Sequence, residues 1–174
     1  MNAELPFELL HSELVACMFA REQETSSTEE ANANAGQDES FLETTNAATK
    51  LELLGYRVGY ALVERIAKEL PRISTELDCM KFICKEFWSA IFRKQVDNLR
   101  TNHQGVYVVM DNKFFLLVPL SAGQQYLTAS PRYVAFSCGL IRGALANLNI
   151  QSVVTATVET MPAVKFNVHV QQKS

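Results

Sequence analysis

The chain has 174 residues, 48% hydrophobic and 20% charged, with a net charge of −3. That length suits one domain, residues 1–174, able to bury a core. The composition is that of an ordinary globular protein, and the charge gives no global reason to expect nucleic acid or an anionic membrane as partner.

Leu5, Leu9, Leu10, Leu14, Met18 and Phe19 recur at helical spacing and predict a first helix, with His11, Ser12 and Glu13 leaning to its other side. From about residue 22 to 45 the chain turns to Glu, Ser, Thr, Ala, Asn and Gln, rich in acids and without a base. Such a stretch buries too little apolar surface to offset its ordering entropy, so a disordered acidic loop is expected there. The acidity of the protein lies in that loop, and the remaining body is mildly basic.

A second helix is predicted from about Ala47 to Leu70, with Leu51, Leu54, Val58, Leu62 and Ile66 on one stripe and Pro71 as its stop. Gly55 and Gly59 stand one turn apart within it. Each costs about 1 kcal/mol relative to Ala in a helix interior, so another backbone is expected to approach there. A third helix, Thr75 to Asn98, places Leu77, Met80, Ile83, Cys84, Phe87, Trp88 and Ile91 inward.

The period then changes to two. Val106–Met110 and Lys113–Val118, joined by Asp111-Asn112, predict a β-hairpin. Ser130, as an N-cap before Pro131, opens a fourth helix that ends at Asn147-Leu148-Asn149. Gly139 and Gly143 within it suggest close packing against the sheet. Val153–Glu159 and Ala163–Gln171 alternate about Met161-Pro162 and predict a second hairpin. The fold class is α+β, with helices packed on one side of a four-stranded antiparallel sheet in the order ααα-ββ-α-ββ.

The catalytic, cofactor and metal inventories are empty. Cys17, Cys79, Cys84 and Cys138 lie in apolar stretches without a C-x-x-C pair, which suits reduced, buried thiols. A thiol hydrolase would need Cys84 or Cys138 activated, and neither has a histidine nearby in sequence. His103, in a polar loop, reads as a loop hydrogen-bonding residue. No zinc-type ligand spacing occurs, nor G-x-x-x-x-G-K-[ST] or G-x-G-x-x-G. Lys81, Lys85, Arg93, Lys94 and Arg100 read first as a solvated face, and second as a patch for an acidic partner or membrane. The start, Met1-Asn2-Ala3-Glu4-Leu5, lacks the basic region of a signal peptide, and no apolar run reaches the ~20 residues that span a bilayer. Two wide apolar helical stripes remain, and the expected use is binding another protein.

Leu53-Leu54-Gly55-Tyr56-Arg57-Val58-Gly59, continuing through Leu62-Val63-Glu64-Arg65, resembles the small subunits of TRAPP, the transport protein particle. Met80–Trp88, Lys94–Gly105 and Phe136–Gly143 resemble its subunit-6 type, and the likeness runs from Leu5 to Val170 outside the acidic loop. The resemblance implies a non-catalytic scaffold subunit of a complex that tethers vesicles and promotes nucleotide exchange on a Rab GTPase, in ER-to-Golgi and Golgi traffic. It implies a cytoplasmic protein, peripheral at the cis-Golgi and endoplasmic reticulum, held to the membrane only through the complex. Its implied partners are a subunit-3-type protein in a heterodimer, other TRAPP subunits and, through the whole complex, the GTPase; a homodimer is the alternative pairing. Carried over by position, Leu9, Leu14, Leu51, Leu54, Val58 and Leu62, with Gly55 and Gly59, would form the partner interface. The subunit-3 type carries an acylated cysteine after its second helix. Here Pro71-Arg72-Ile73-Ser74-Thr75 has none, Cys79 is a reserve candidate, and a module enclosing an apolar small molecule or acyl chain is the alternative function.

Overall fold

A computed structural model describes residues 4–29, 46–68, 75–102, 104–122 and 127–171. Helix α1 spans Glu4–Glu29, so residues 22–29 of the expected loop are helical, while 30–45 lie outside the described residues, as do His103 and Pro71. Helix α2 spans Ala47–Ala67. Asn46 caps it, its side chain accepting from the Thr49 amide at 2.9 Å.

The third predicted helix is a composite rod. It comprises α3 (Glu76–Phe82), a π-helical turn (Ile83–Phe87) and α4 (Trp88–Phe92). In the π turn the Cys84 carbonyl accepts from the Val96 amide at 3.0 Å, which folds the following loop back onto the rod. The rod stops at Arg93, which is left-handed at φ 59°, and not at Asn98 as expected. Asn98–Thr101 is instead strand β1.

That difference corrects the first hairpin. β2 (Val106–Asp111) pairs with β1 on one side and β4 (Val164–Val170) on the other, so both of its edges are occupied. Most of the expected second arm, Lys113–Val118, lies instead in a 3-10 turn, Phe115–Leu120, containing Pro119, which has no N–H to give a ladder. β3 (Ser152–Thr157) completes a four-stranded antiparallel sheet ordered β1-β2-β4-β3, with Val109 opposite Phe166 and Val154 opposite Val168. The second hairpin matches its prediction to within two residues. The order ααα-ββ-α-ββ therefore holds although one of its strands was misplaced.

Helix α5 spans Ser130–Asn147. Ser130 is its first residue and not its cap, and its hydroxyl donates to the Leu127 carbonyl at 2.7 Å. Asn149, at φ 63°, ends the helix. The helices cover one face of the sheet. Tyr107 and Val109 of β2, Val164, Phe166 and Val168 of β4 and Val154 of β3 point into the core, where Phe166 meets Trp88 and Phe114 edge-on at 5.5 Å.

The carboxylate of Asp111, fully buried, joins the rod to the sheet. It accepts from the Trp88 indole at 3.0 Å, the Lys94 ammonium at 2.6 Å and the Lys113 amide at 3.0 Å. Lys94 also reaches Asp97 at 3.0 Å. Removing Lys94 leaves a buried carboxylate short of a charged partner. Lys94→Met is expected to lower unfolding free energy by about 2 kcal/mol. Urea titration checks this, and adding Asp111→Asn to that variant should return part of the loss.

Candidate partner-binding surface

Helix α1 is apolar on both sides. Phe7, Leu14 and Met18 are half-buried and His11 and Val15 buried, all turned toward the body. Leu9 and Leu10 are 60% and 68% exposed, and Ala16, Cys17 and Ala20 continue an exposed row beyond them. On α2, Ala47, Leu51, Gly55, Gly59 and Val63 form the buried row, four residues apart. The opposite row carries Leu53, Arg57, Tyr60, Ala61 and Glu64, with Leu53 48% and Tyr60 46% exposed.

The predicted interface residues therefore divide. Leu9 is exposed. Leu14, Leu54, Val58 and Leu62 are half-buried and packed on the core of their own chain. Leu51, Gly55 and Gly59 are buried within it and present nothing to a partner. A second backbone does approach the two glycines, and it is this chain's own α5. A Cβ at Gly55 or Gly59 would overlap the carbonyl of Phe136 or Leu140, and one at Gly139 or Gly143 would overlap that of Glu52 or Tyr56. Gly139 and Gly143 thus pack on α2, not on the sheet as expected. Arg142 flanks the crossing, bonded to Glu52 at 2.7 Å, with its guanidinium 5.1 Å from the Tyr56 ring centre.

Leu10, Leu53 and Tyr60 were missing from the predicted set. The pairs Leu9-Leu10 and Leu53-Leu54 held the available signal, because neighbours on a helix point about 100° apart, and on a helix packed on one side one of them is turned toward the open side.

His11 is 3% exposed, against the expectation that it leans outward. Phe136 meets its ring edge-on at 5.7 Å, Phe7 and Tyr133 lie tilted at 6.4 and 6.3 Å, and its Nε2 has no hydrogen-bond partner. Burial among these rings pulls its pKa from 6.5 down to about 4, so the ring is neutral at pH 7. Beside it, α1, the 3-10 turn and α5 bound a cleft open to solvent.

The cysteines are all free; Cys79, Cys84 and Cys138 are buried and Cys17 is exposed, contrary to the reading of four buried thiols. Burial raises the Cys79 pKa and pushes those of Cys84 and Cys138 up to about 12, the opposite of what an activated thiolate requires. Alkylation by N-ethylmaleimide at neutral pH, read by intact mass, is expected to modify Cys17 rapidly and the other three only after unfolding. A second rapid adduct would reopen thiol chemistry. Of the basic stretch, Lys94 is taken by Asp97 and Asp111 and Lys85 lies 3.5 Å from Glu86, leaving Lys81, Arg93 and Arg100 exposed. Among the described residues, no three His, Cys, Asp or Glu side chains are grouped to hold a metal ion, and no helix is long and apolar enough to cross a membrane.

A family model described as "Transport protein particle (TRAPP) component" matches residues 7–171. The chain is 51% identical to "Trafficking protein particle complex subunit 6B" of Mus musculus over 172 residues, covering 99% of each. It is 49% identical to "Trafficking protein particle complex subunit 6b" of Danio rerio over 172 residues, again 99% of each. A solved structure of a trafficking protein particle complex subunit 3 from Naegleria fowleri, covalently bound to palmitic acid, shares the fold. Its TM-score is 0.67 at 16% identity, over 97% of this chain and 96% of that one.

Proposed function

The chain belongs to the transport protein particle (TRAPP) component family, and from that premise we propose that it is a non-catalytic scaffold subunit of the TRAPP vesicle-tethering complex. In this reading it binds a subunit-3-type partner through the outer rows of α1 and α2, and acts in ER-to-Golgi and Golgi traffic. Its relation to a Rab GTPase and to the cis-Golgi and endoplasmic reticulum membranes runs through the assembled complex.

The observation that supports this most is α1 itself. A helix lying on a domain surface ordinarily keeps polar residues outward. Here Leu9 and Leu10 face out while Val15 on the same helix is 2% exposed. Leu53 and Tyr60 of α2 are likewise exposed, and apolar side chains left outward on both helices are of the kind that partners cover. The high thiol pKa values favour the non-catalytic reading.

Binding to a purified subunit-3-type TRAPP protein, followed by light scattering and titration calorimetry, tests the proposal. A one-to-one complex is expected, and Leu10→Glu or Leu53→Glu should weaken it about a hundredfold or more without unfolding the chain. Leu62→Glu is a poorer choice, since Leu62 packs on its own core. A protein that stays monomeric and captures no such partner at micromolar concentration would defeat the reading.

A further inference from the structure

The cleft beside α1 extends the outward surface of that helix into the body of the protein. Its lining includes Glu8, Leu9, His11 and Ser12 of α1, Leu116 and Leu120 of the 3-10 turn, and Tyr133 of α5. Leu9 belongs both to this lining and to the exposed row of α1, so the two surfaces are continuous. Beneath the opening the protein is filled. His11 is 3%, Leu116 4% and Leu117 0% exposed. The cleft is therefore open to solvent and closed beneath. That shape suits one inserted side chain.

We propose that this cleft is a socket into which the partner subunit inserts an apolar side chain, leucine-like or aromatic, against Leu9, Leu120 and Tyr133. The proposal rests on the reading of α1 and α2 as the partner surface and adds to it residues of the 3-10 turn and α5. The chemistry of the lining selects the occupant. Five of the eight lining residues are Leu9, Leu116, Pro119, Leu120 and the Tyr133 ring, and the polar remainder, Glu8, His11 and Ser12, comes from α1. A well-packed anchor in a pocket at the edge of a helical face is the usual form of a binding hot spot.

Titration of the full chain with a purified subunit-3-type TRAPP protein tests the socket apart from the surface. Leu120→Ala hollows the socket and is expected to weaken binding about tenfold. Leu120→Met keeps the volume and should stay within about threefold of the parent chain. Ser12→Trp fills the mouth from an exposed position and should abolish binding with the thermal midpoint unchanged, so the test does not depend on Leu120→Ala folding well. In NMR spectra the His11 ring resonances should move when the partner is added. Leu10→Ala, outside the cleft lining, reports on the helical surface alone. If Leu10→Ala weakens binding while Leu120→Ala and Ser12→Trp do not, the socket is overturned and the surface stands. If none of them matters, both fail. If Leu120→Ala instead strips a co-purifying acyl chain from the native mass spectrum and leaves partner affinity intact, the cleft holds a lipid and the proposal is overturned.

Discussion

Gly59→Ala is expected to lower the thermal midpoint of the isolated chain by about 10 °C, from an overpacking cost of about 3 kcal/mol. The new methyl would meet the Leu140 carbonyl, and a backbone atom inside a helix cannot rotate away as the end of a side chain can. Relief requires α2 and α5 to separate, and separation loosens the contacts across the whole crossing. Gly139→Ala approaches from the other helix against Glu52 and should cost a similar amount. Because the two substitutions act on one crossing, the second should add less once the first has forced the helices apart. Differential scanning calorimetry of each single variant and of the pair reads this directly. Leu53→Ala, on the exposed row, should move the midpoint by no more than about 2 °C. An unchanged midpoint for Gly59→Ala would mean that the glycines serve an external partner after all.

Acidification should remove about 2 kcal/mol of stability by pH 5 through His11 alone, rising to about 3 kcal/mol below pH 4. The sign follows from where the proton goes. The folded ring has its pKa lowered from 6.5 to about 4, so between these values the unfolded chain binds a proton that the folded chain refuses. Unfolding is thereby favoured as pH falls through 6.5, and the contribution levels off below 4. Carboxylates also titrate at the lower end of this window; Asp97 is held below its ordinary value by the Asn112 amide and by Lys94, and its share of stability is likewise lost toward acid. The His11 part is isolated by comparison with His11→Phe, which keeps an aromatic ring among Phe7, Tyr133 and Phe136 without a titrating nitrogen. Urea unfolding at pH 7.5 and pH 5 should show a clearly smaller loss in the variant. Equal losses would mean that His11 gains a proton acceptor when it charges.

Much of the architecture was legible in the residues. The helical stripes located α1, α2 and α5, the period of two located β2 and the closing hairpin, and the order of helices and strands followed. What misled was local. Phe114-Phe115-Leu116-Leu117-Val118 has strand composition, but both edges of β2 were already taken and Pro119 could not extend a ladder, so those residues coil beneath α5. The third helix was expected to run to Asn98; the left-handed turn at Arg93 and the bond from the Val96 amide to the Cys84 carbonyl end it early and lead Asn98–Thr101 into the sheet.

The proposed partner surface shows the same division. The sequence by itself determined that α1 and α2 carry more apolar surface than a solvated helix needs, and that a backbone must approach Gly55 and Gly59, because a glycine pair within a helix is costly without one. Only the tertiary structure decided whose backbone that was. A periodic pattern specifies which residues share a face, not what the face meets, and the nearer candidate was α5, with its matching Gly139 and Gly143. Once that crossing consumed the inner row of α2, the apolar residues left exposed on the two helices, and so the surface proposed for a partner, were Leu9, Leu10, Leu53 and Tyr60.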